Sequence, residues 1–224
     1  MKQEKISEAV VRRLPIYWRF LNDLRNAGVQ TVSSQDLGEK LNLNPAQIRK
    51  DLAYFGEFGR KGVGYDVAYL IEKIGQILKL DRTLHVALAG LGNLGRALCN
   101  YNMYNKGNMK IVAVFDTDEK KIGMKINHMT VQPMEELEET VKRLGITLGI
   151  ITVPAVNAQL VADKFVGAGI RGILNFAPVV LKVPEGVRIH YADFTADLLS
   201  LAYYMDDNDR WSNVKEDGEL WENG

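Results

Sequence analysis

The run Leu84-His85-Val86-Ala87-Leu88-Ala89-Gly90-Leu91-Gly92-Asn93-Leu94-Gly95 decides the fold of the larger part of this chain. Its first six residues are a short apolar run of strand character that ends directly in glycine. The glycines follow the G-x-G-x-x-G spacing, and an apolar helical pattern continues through Leu98 to about Tyr104. Alone, that spacing says little; a strand before it and a helix after it give it a mechanical meaning. The first glycine makes the turn, the second lets a pyrophosphate approach the backbone, and the third allows close helix packing. The helix N-terminus offers free amide donors and a positive dipole end to phosphate. Gly90, Leu91, Gly92, Asn93, Leu94 and Gly95 are therefore candidate dinucleotide-binding residues, and residues 81–205 read as a Rossmann-type parallel-sheet domain.

Further along, Lys110–Phe115 is a second strand ending in Asp116. An acid there can accept from both ribose hydroxyls of an adenosine and repels a 2′-phosphate, which favours NAD over NADP. Lys120 and Lys121 weaken that exclusion, and the alternative is a cap for the Asp116–Asp118 turn. Strands at 147–152 and 171–175 each run into a proline within a few residues. Open α/β sheets bind ligands at such strand ends, so Thr152, Val153 and Pro154, and Asn175, Phe176 and Ala177, are candidate cofactor contacts. A rigid turn explains the prolines equally well. Val187–His190 is a last strand, and Asp193-Phe194-Thr195 opens a final helix through Met205 that is apolar on more than one side. Such a helix needs a partner, and a second subunit would supply one.

The first 80 residues have a different character. Val10, Leu14, Tyr17, Leu21 and Leu24 recur at helical spacing, with Pro15 inside as either a kink or a later start, and Gly28 as the left-handed stop. Ser33 to Asp36 reads as a capping box opening a short helix to Leu41 that buries Leu37 and Leu41. Asn44-Pro45-Ala46-Gln47 opens a third helix, with Asn capping, Pro in the first turn and Gln47 completing a box. Ile48, Leu52 and Phe55 face inward, while Gln47, Lys50 and Tyr54, with Arg49 and Asp51 beside them, make an outer polar face. Two short helices so arranged are a helix-turn-helix, and its outer side chains are of the kinds that reach bases and phosphates. A solvated helix face is the plainer alternative. The next segment favours DNA: Gly56–Tyr65 carries Arg60-Lys61-Gly62 at the tip of a glycine-rich hairpin, a basic wing able to grip phosphate. Gln47, Arg49, Lys50, Tyr54, Arg60, Lys61 and Gly62 are the candidate DNA contacts. Val67–Leu80 reads as a helix leading into the second domain.

Bulk properties agree. The chain has 224 residues, 46% of them hydrophobic, and zero formal net charge. That zero conceals a net +4 in residues 1–80 and −4 in residues 81–224. A mildly basic front half suits a polyanion. Residues 206–224 form an acidic tail, expected to be solvated. No run approaches the ~20 apolar residues of a membrane span, the N-terminus lacks a signal-peptide core, and Cys99 stands alone; a cytoplasmic protein without disulfide or metal is expected. His85, His128 and His190 lie in or beside strands with no partnering signature. No arrangement suggests a general acid, so a sensor fits better than an enzyme.

Taken together, RRLPIYWRFL, QIRKDLAYFGEFGRKGVGYDV, GLGNLGRAL, ITVPA, ILNFAP and the ADF opening the last helix resemble, in that order, the Rex family of redox-sensing transcriptional repressors. The resemblance covers about residues 7–207. It implies an α/β chain with an N-terminal winged helix-turn-helix, a Rossmann domain and a C-terminal helix swapped between the subunits of a homodimer. It also implies a repressor of NADH-reoxidation genes that binds double-stranded, palindromic operator DNA and leaves it when NADH rises. NADH is then the effector and NAD+ the weaker or DNA-compatible ligand. By matching motif, Arg19, Tyr101 and Asp193 would form a polar switch between the domains, and Phe194 would approach the nicotinamide of the facing subunit. Two rivals remain: an NAD-dependent oxidoreductase whose front helices only dimerise, and a regulator sensing an acyl-CoA, against which Asp116 speaks.

Overall fold

The computed structural model describes residues 6–54, 59–60, 64–104 and 108–217; Lys61, Gly62 and Phe55 lie outside them, and for Arg60 and residues 102–104 and 206–217 only the backbone is described. The chain divides into two compact units, Met1–Thr83 and Leu84–Gly224.

In the first unit, α1 (Glu8–Asn26) starts on Ser7, whose hydroxyl accepts from the Val10 amide. It runs through Pro15 without interruption: proline offers no amide to the Val11 carbonyl, but both residues lie on the exposed side, where water can replace that donor. Gly28 (φ +78°) ends it in a Schellman turn: its amide reaches the Arg25 carbonyl and the Val29 amide reaches that of Leu24. After β1 (Thr31–Val32), the Ser33–Asp36 capping box opens α2 (Ser34–Leu41), which buries Leu37 fully and Leu41 only partly. The turn to α3 (Pro45–Ala53) is tight: a Cβ at Gly38 would lie 2.7 Å from the Leu43 carbonyl oxygen. Strands β2 (Gly59–Arg60) and β3 (Gly64–Asp66) complete an antiparallel sheet in the order β1-β3-β2, and α4 (Val67–Ile77) follows. Leu14, Tyr17, Leu21, Ile48, Leu52, Leu70 and Ile74 close one core. Helices α1 to α3 with a small three-stranded sheet at their edge form a winged helix-turn-helix.

The second unit is a sheet of β4 (Leu84–Ala89), β5 (Met109–Asp116), β6 (Lys125–Ile126), β7 (Met129–Pro133), β8 (Leu148–Ile151), β9 (Gly172–Asn175) and β10 (Arg188–Tyr191). Their order is β10-β9-β8-β4-β5-β7-β6, parallel except for the β6–β7 hairpin. Alternation along β4 sends Ala87 and Ala89 to one apolar layer, Val86 and Leu88 to the other, so the sheet is covered on both faces. Helices α5 (Asn93–Tyr104), α6 (Leu137–Leu144) and α7 (Ala155–Gly167) make the crossovers. From β4 the chain goes first to β5 and later back to β8 on β4's other side, which puts the topological switch point at the ends of β4 and β8. The last helix, α8, runs Phe194–Asp217, well past the expected end at Met205, since no glycine or proline interrupts the sequence before Gly218. Among the described residues no helix is long and apolar enough to cross a membrane.

Candidate functional site

A cavity of about 610 Å³ opens at the switch point. The glycine loop forms one wall (Gly90, Gly92, Asn93, Leu94), the end of β8 another (Thr152, Val153, Pro154), and Asp116 with Lys121 a third. The three glycines have different tasks. Gly90 takes φ +102°, and a Cβ there would lie 2.8 Å from the Thr152 carbonyl group. At Gly95 a Cβ would collide with the Gly90 carbonyl oxygen, so α5 can start this close to β4 only on glycine. A Cβ at Gly92 would meet nothing within 4 Å. This glycine is not required by the protein's own packing; it leaves the loop surface open to the cavity. The first turn of α5 closes with the Arg96 amide donating to the Gly92 carbonyl, so the preceding amides have no carbonyl one turn back. Leu91 is buried, with its amide turned to Asp116. Thr152 fastens the β8 end by donating its hydroxyl to the Gly90 carbonyl (2.8 Å).

Asp116 is buried at the end of β5 and already engaged. Its Oδ2 accepts from the Leu91 amide (2.7 Å) and the Lys121 ammonium (3.1 Å), and its Oδ1 from the Asp118 amide (2.9 Å). Burial pushes its carboxyl up, but the Asp118 and Leu91 amides and Lys121 outweigh that and hold it below the ordinary carboxylate range. The ionised form therefore prevails at neutral pH. Both sequence readings of Asp116 have a counterpart in this geometry: it ties the turn, and it stands on the cavity wall. With roughly four lone-pair directions on a carboxylate and three donors bound, capacity remains for a ribose hydroxyl.

The other strand-end residues line a second cavity, of about 450 Å³, with Asn175, Phe176, Ala177, Asp193 and Phe194 in its walls. Asn175 is buried and acts as a fastener: its Oδ1 accepts from the Ala177 amide, and its Nδ2 donates to the Ala177 and Val179 carbonyls. Its amide thus braces the loop, and Phe176 and Ala177 line the cavity beside it. Phe194 is 73% exposed, and Asp193 caps α8, accepting from the Thr195 and Ala196 amides. Tyr101 is exposed on α5 of the same unit, and Arg19 is exposed on α1 of the other. Leu198, Leu199, Leu201, Tyr203, Tyr204 and Met205 are all exposed along α8, an apolar surface without cover in a single chain.

In the first unit, Arg49, Lys50 and Tyr54 are exposed on α3, and the Arg49 guanidinium donates to the Ser34 hydroxyl at the start of α2. Arg60 lies on strand β2 of the wing sheet. Two expectations for α3 fail. Asn44 caps by accepting from the Ala46 amide, but Gln47 does not complete a box; its Nε2 donates to Asp51 Oδ1 instead (2.6 Å). Asp51 is not on the outer face but wholly buried, held by Arg13 through two bonds (2.6 and 2.8 Å) and by the Tyr17 hydroxyl (2.7 Å). A cationic partner 38 residues upstream outcompetes solvent for this carboxylate. Burial pushes the Asp51 carboxyl up, yet Arg13, Tyr17 and Gln47 hold it below its usual range.

Residues 5–53 match the family described as putative DNA-binding protein N-terminus, and residues 81–179 match the CoA binding domain family. A redox-sensing transcriptional repressor Rex of Brevibacillus brevis is 59% identical over 204 residues, covering 91% of this chain and 99% of that protein. The chain belongs to the Rex family of redox-sensing transcriptional repressors. Rex relatives are repressors rather than enzymes, despite the Rossmann fold. Among solved structures, RSP in complex with β-NAD+ and operator DNA is similar over 95% of this chain and 98% of that one, at 37% identity and a TM-score of 0.84. The same repressor in complex with β-NADH is similar over 94% of this chain and 99% of that one, at 36% identity and a TM-score of 0.83.

Met134, Asn157, Leu160 and Lys164 also line the first cavity, and sequence reasoning misses them. They come from the turn that precedes α6 and from α7, and no local motif marks them. A β-strand end in the sequence points to the site, but the wall facing it is supplied by whichever crossover helix lies above.

Proposed function

We propose that this chain binds operator DNA through α3 and the wing, holds NAD(H) on the glycine loop, and releases the DNA when NADH binds. The open Cβ direction at Gly92, in a cavity that also contains the ionised Asp116, carries the reading: the loop leaves room for a pyrophosphate, with a ribose acceptor on the same wall. The structures of RSP with β-NAD+ and operator DNA, and with β-NADH, support the ligand classes. Gly92, Asn93 and Leu94 would bind the pyrophosphate, Asp116 the adenosine ribose, and Thr152 to Pro154 the middle of the dinucleotide. Phe176 and Ala177 would face the nicotinamide in the second cavity, and Phe194, exposed on α8, would approach that of the facing subunit. The bound cofactor supplies a charge difference, cationic nicotinamide when oxidised and neutral when reduced. The apolar part of the wall would penalise the cation, since burying an unpaired charge is costly, while the Asp193 carboxylate in the same cavity is turned to the Thr195 and Ala196 amides. Asp116 within hydrogen-bond reach of the ribose would disfavour a phosphate there, less strongly with Lys121 on the same carboxylate, so NADPH and CoA should bind more weakly than NADH.

The exposed apolar side of α8 supports a homodimer, whose two winged helices would read a palindromic operator in successive half-sites. A cytoplasmic location follows from that role. The test is fluorescence anisotropy of a labelled duplex, selected from a randomised pool by the chain itself, titrated with NADH, NAD+ and CoA. Release by NADH alone is expected. Release by CoA and not by NADH would instead make the chain an acyl-CoA-type regulator.

A further inference from the structure

Asp51 is a buried charge that no step above uses. Its carboxylate has no exposure, and its surroundings are Arg13 and Tyr17 of α1 and Gln47 of its own helix. The Arg13 pair neutralises it, so it does not repel a phosphate backbone nearby. A carboxylate is acceptor-only, so the Gln47 amide must present its NH₂ group to Asp51. That fixes which way the amide lies: one N–H is spent, and the Oε1 makes no hydrogen bond among the described residues. What remains is one acceptor and one donor on a half-buried, immobilised amide at the first turn of α3. In the major groove an acceptor paired with a donor matches the adenine edge, N6–H₂ with N7, and no other single base.

We propose that Asp51 is a positioning residue for base recognition: it locks Gln47 in the amide orientation that reads adenine, and it anchors α3 to α1 while doing so. This rests on the DNA-binding reading of α3. The lock also lowers the conformational entropy that a free glutamine would lose on binding.

The test compares base preferences rather than affinity alone. The full-length wild-type chain selects duplexes from a randomised pool, and the recovered consensus is then probed by substituting each position in turn. Gln47→Ala is expected to abolish the preference for adenine at one position of each half-site, a change of at least about fivefold, the lower end for a bidentate base contact. It should leave NADH affinity unchanged. A second variant, Arg13→Gln with Asp51→Asn, removes both charges and keeps polar groups of similar size, so no lone buried charge remains. An asparagine amide in place of the carboxylate can donate as well as accept, so the amide of Gln47 is free to turn. Preference at the same position should then fall toward that of Gln47→Ala. If Gln47→Ala weakens all duplexes equally with its base profile intact, Gln47 reads no base and the proposal is wrong, though α3 still binds DNA. If the double variant folds and keeps the wild-type profile, Asp51 does not set the orientation. Should the wild-type chain select no duplex at all, it is the DNA-binding reading that fails.

Discussion

Replacing Gly92 by alanine separates ligand binding from folding. The new methyl meets no atom within 4 Å, and Gly92 is not among the glycines with positive φ. Its effect on the folded protein is therefore small, and restriction of the unfolded chain favours the variant by about 0.4–1 kcal/mol. The methyl would point into the cavity, where the proposed pyrophosphate would meet the loop amides. Loss of one hydrogen bond to a charged group costs about 1.5–3 kcal/mol, which raises the NADH Kd roughly 10- to 150-fold. Gly95→Ala is the control. Its methyl collides with the Gly90 carbonyl oxygen, a backbone atom that cannot rotate away. Overpacking of this kind costs about 1–3 kcal/mol, and each kcal/mol lowers Tm by about 2–4 °C in a protein of this size. NADH fluorescence titration and a thermal melt on both variants are sufficient. Wild-type NADH affinity in Gly92→Ala, or a melting point as depressed as that of Gly95→Ala, would refute the division of labour among the glycines.

Further outcomes follow from other residues. Lys50 is exposed on α3, so Lys50→Ala should weaken duplex binding and reduce the slope of log K against log[salt] by about one phosphate's share, with NADH titration unchanged. Asp51 has a folded pKa below its ordinary value of 3.8, so its stabilising contribution is complete above that value and lost as pH falls through the lower folded value. Acid unfolding of the first unit, followed by circular dichroism between about pH 5 and roughly 2, should thus be less pH-dependent in the Arg13→Gln, Asp51→Asn variant. Cys99 is fully buried and its thiol is pushed up by burial to about 11, so little thiolate exists near neutrality. Native chain at about pH 8, still below the ordinary thiol pKa, should resist iodoacetamide by mass spectrometry and label only on denaturation; rapid native labelling would reopen a redox role for this thiol.

Much of this architecture is legible in local sequence because the deciding interactions are local. Ser33 and Asp36 form a capping box within a single turn, Gly28 stops α1 at its own position, and the loop at Gly90 to Gly95 follows its strand directly. Where the partner is remote, sequence misleads. Asp51 sits beside Lys50 and Arg49 in a polar stretch, and only Arg13 and Tyr17, brought across by the packing of α1, make it a buried anchor. That same carboxylate diverts Gln47 from the cap it could have made. Asn175, read as a ligand contact by its place at a strand end, stands in the wall of the second cavity, while its amide also braces the Ala177 and Val179 backbone beside it. The hairpin of β6 and β7 escapes a sequence reading, since its strands are too short to show a periodic pattern.

The coupling between duplex and dinucleotide is the central claim, and binding linkage makes it measurable from either side. The NADH Kd should be determined by isothermal titration with and without a saturating amount of the selected duplex. If NADH releases DNA, the duplex must weaken NADH by the same factor, about 5- to 150-fold for a typical coupling. An NADH affinity indifferent to saturating duplex would mean that the two units bind their ligands independently and that the chain senses nothing.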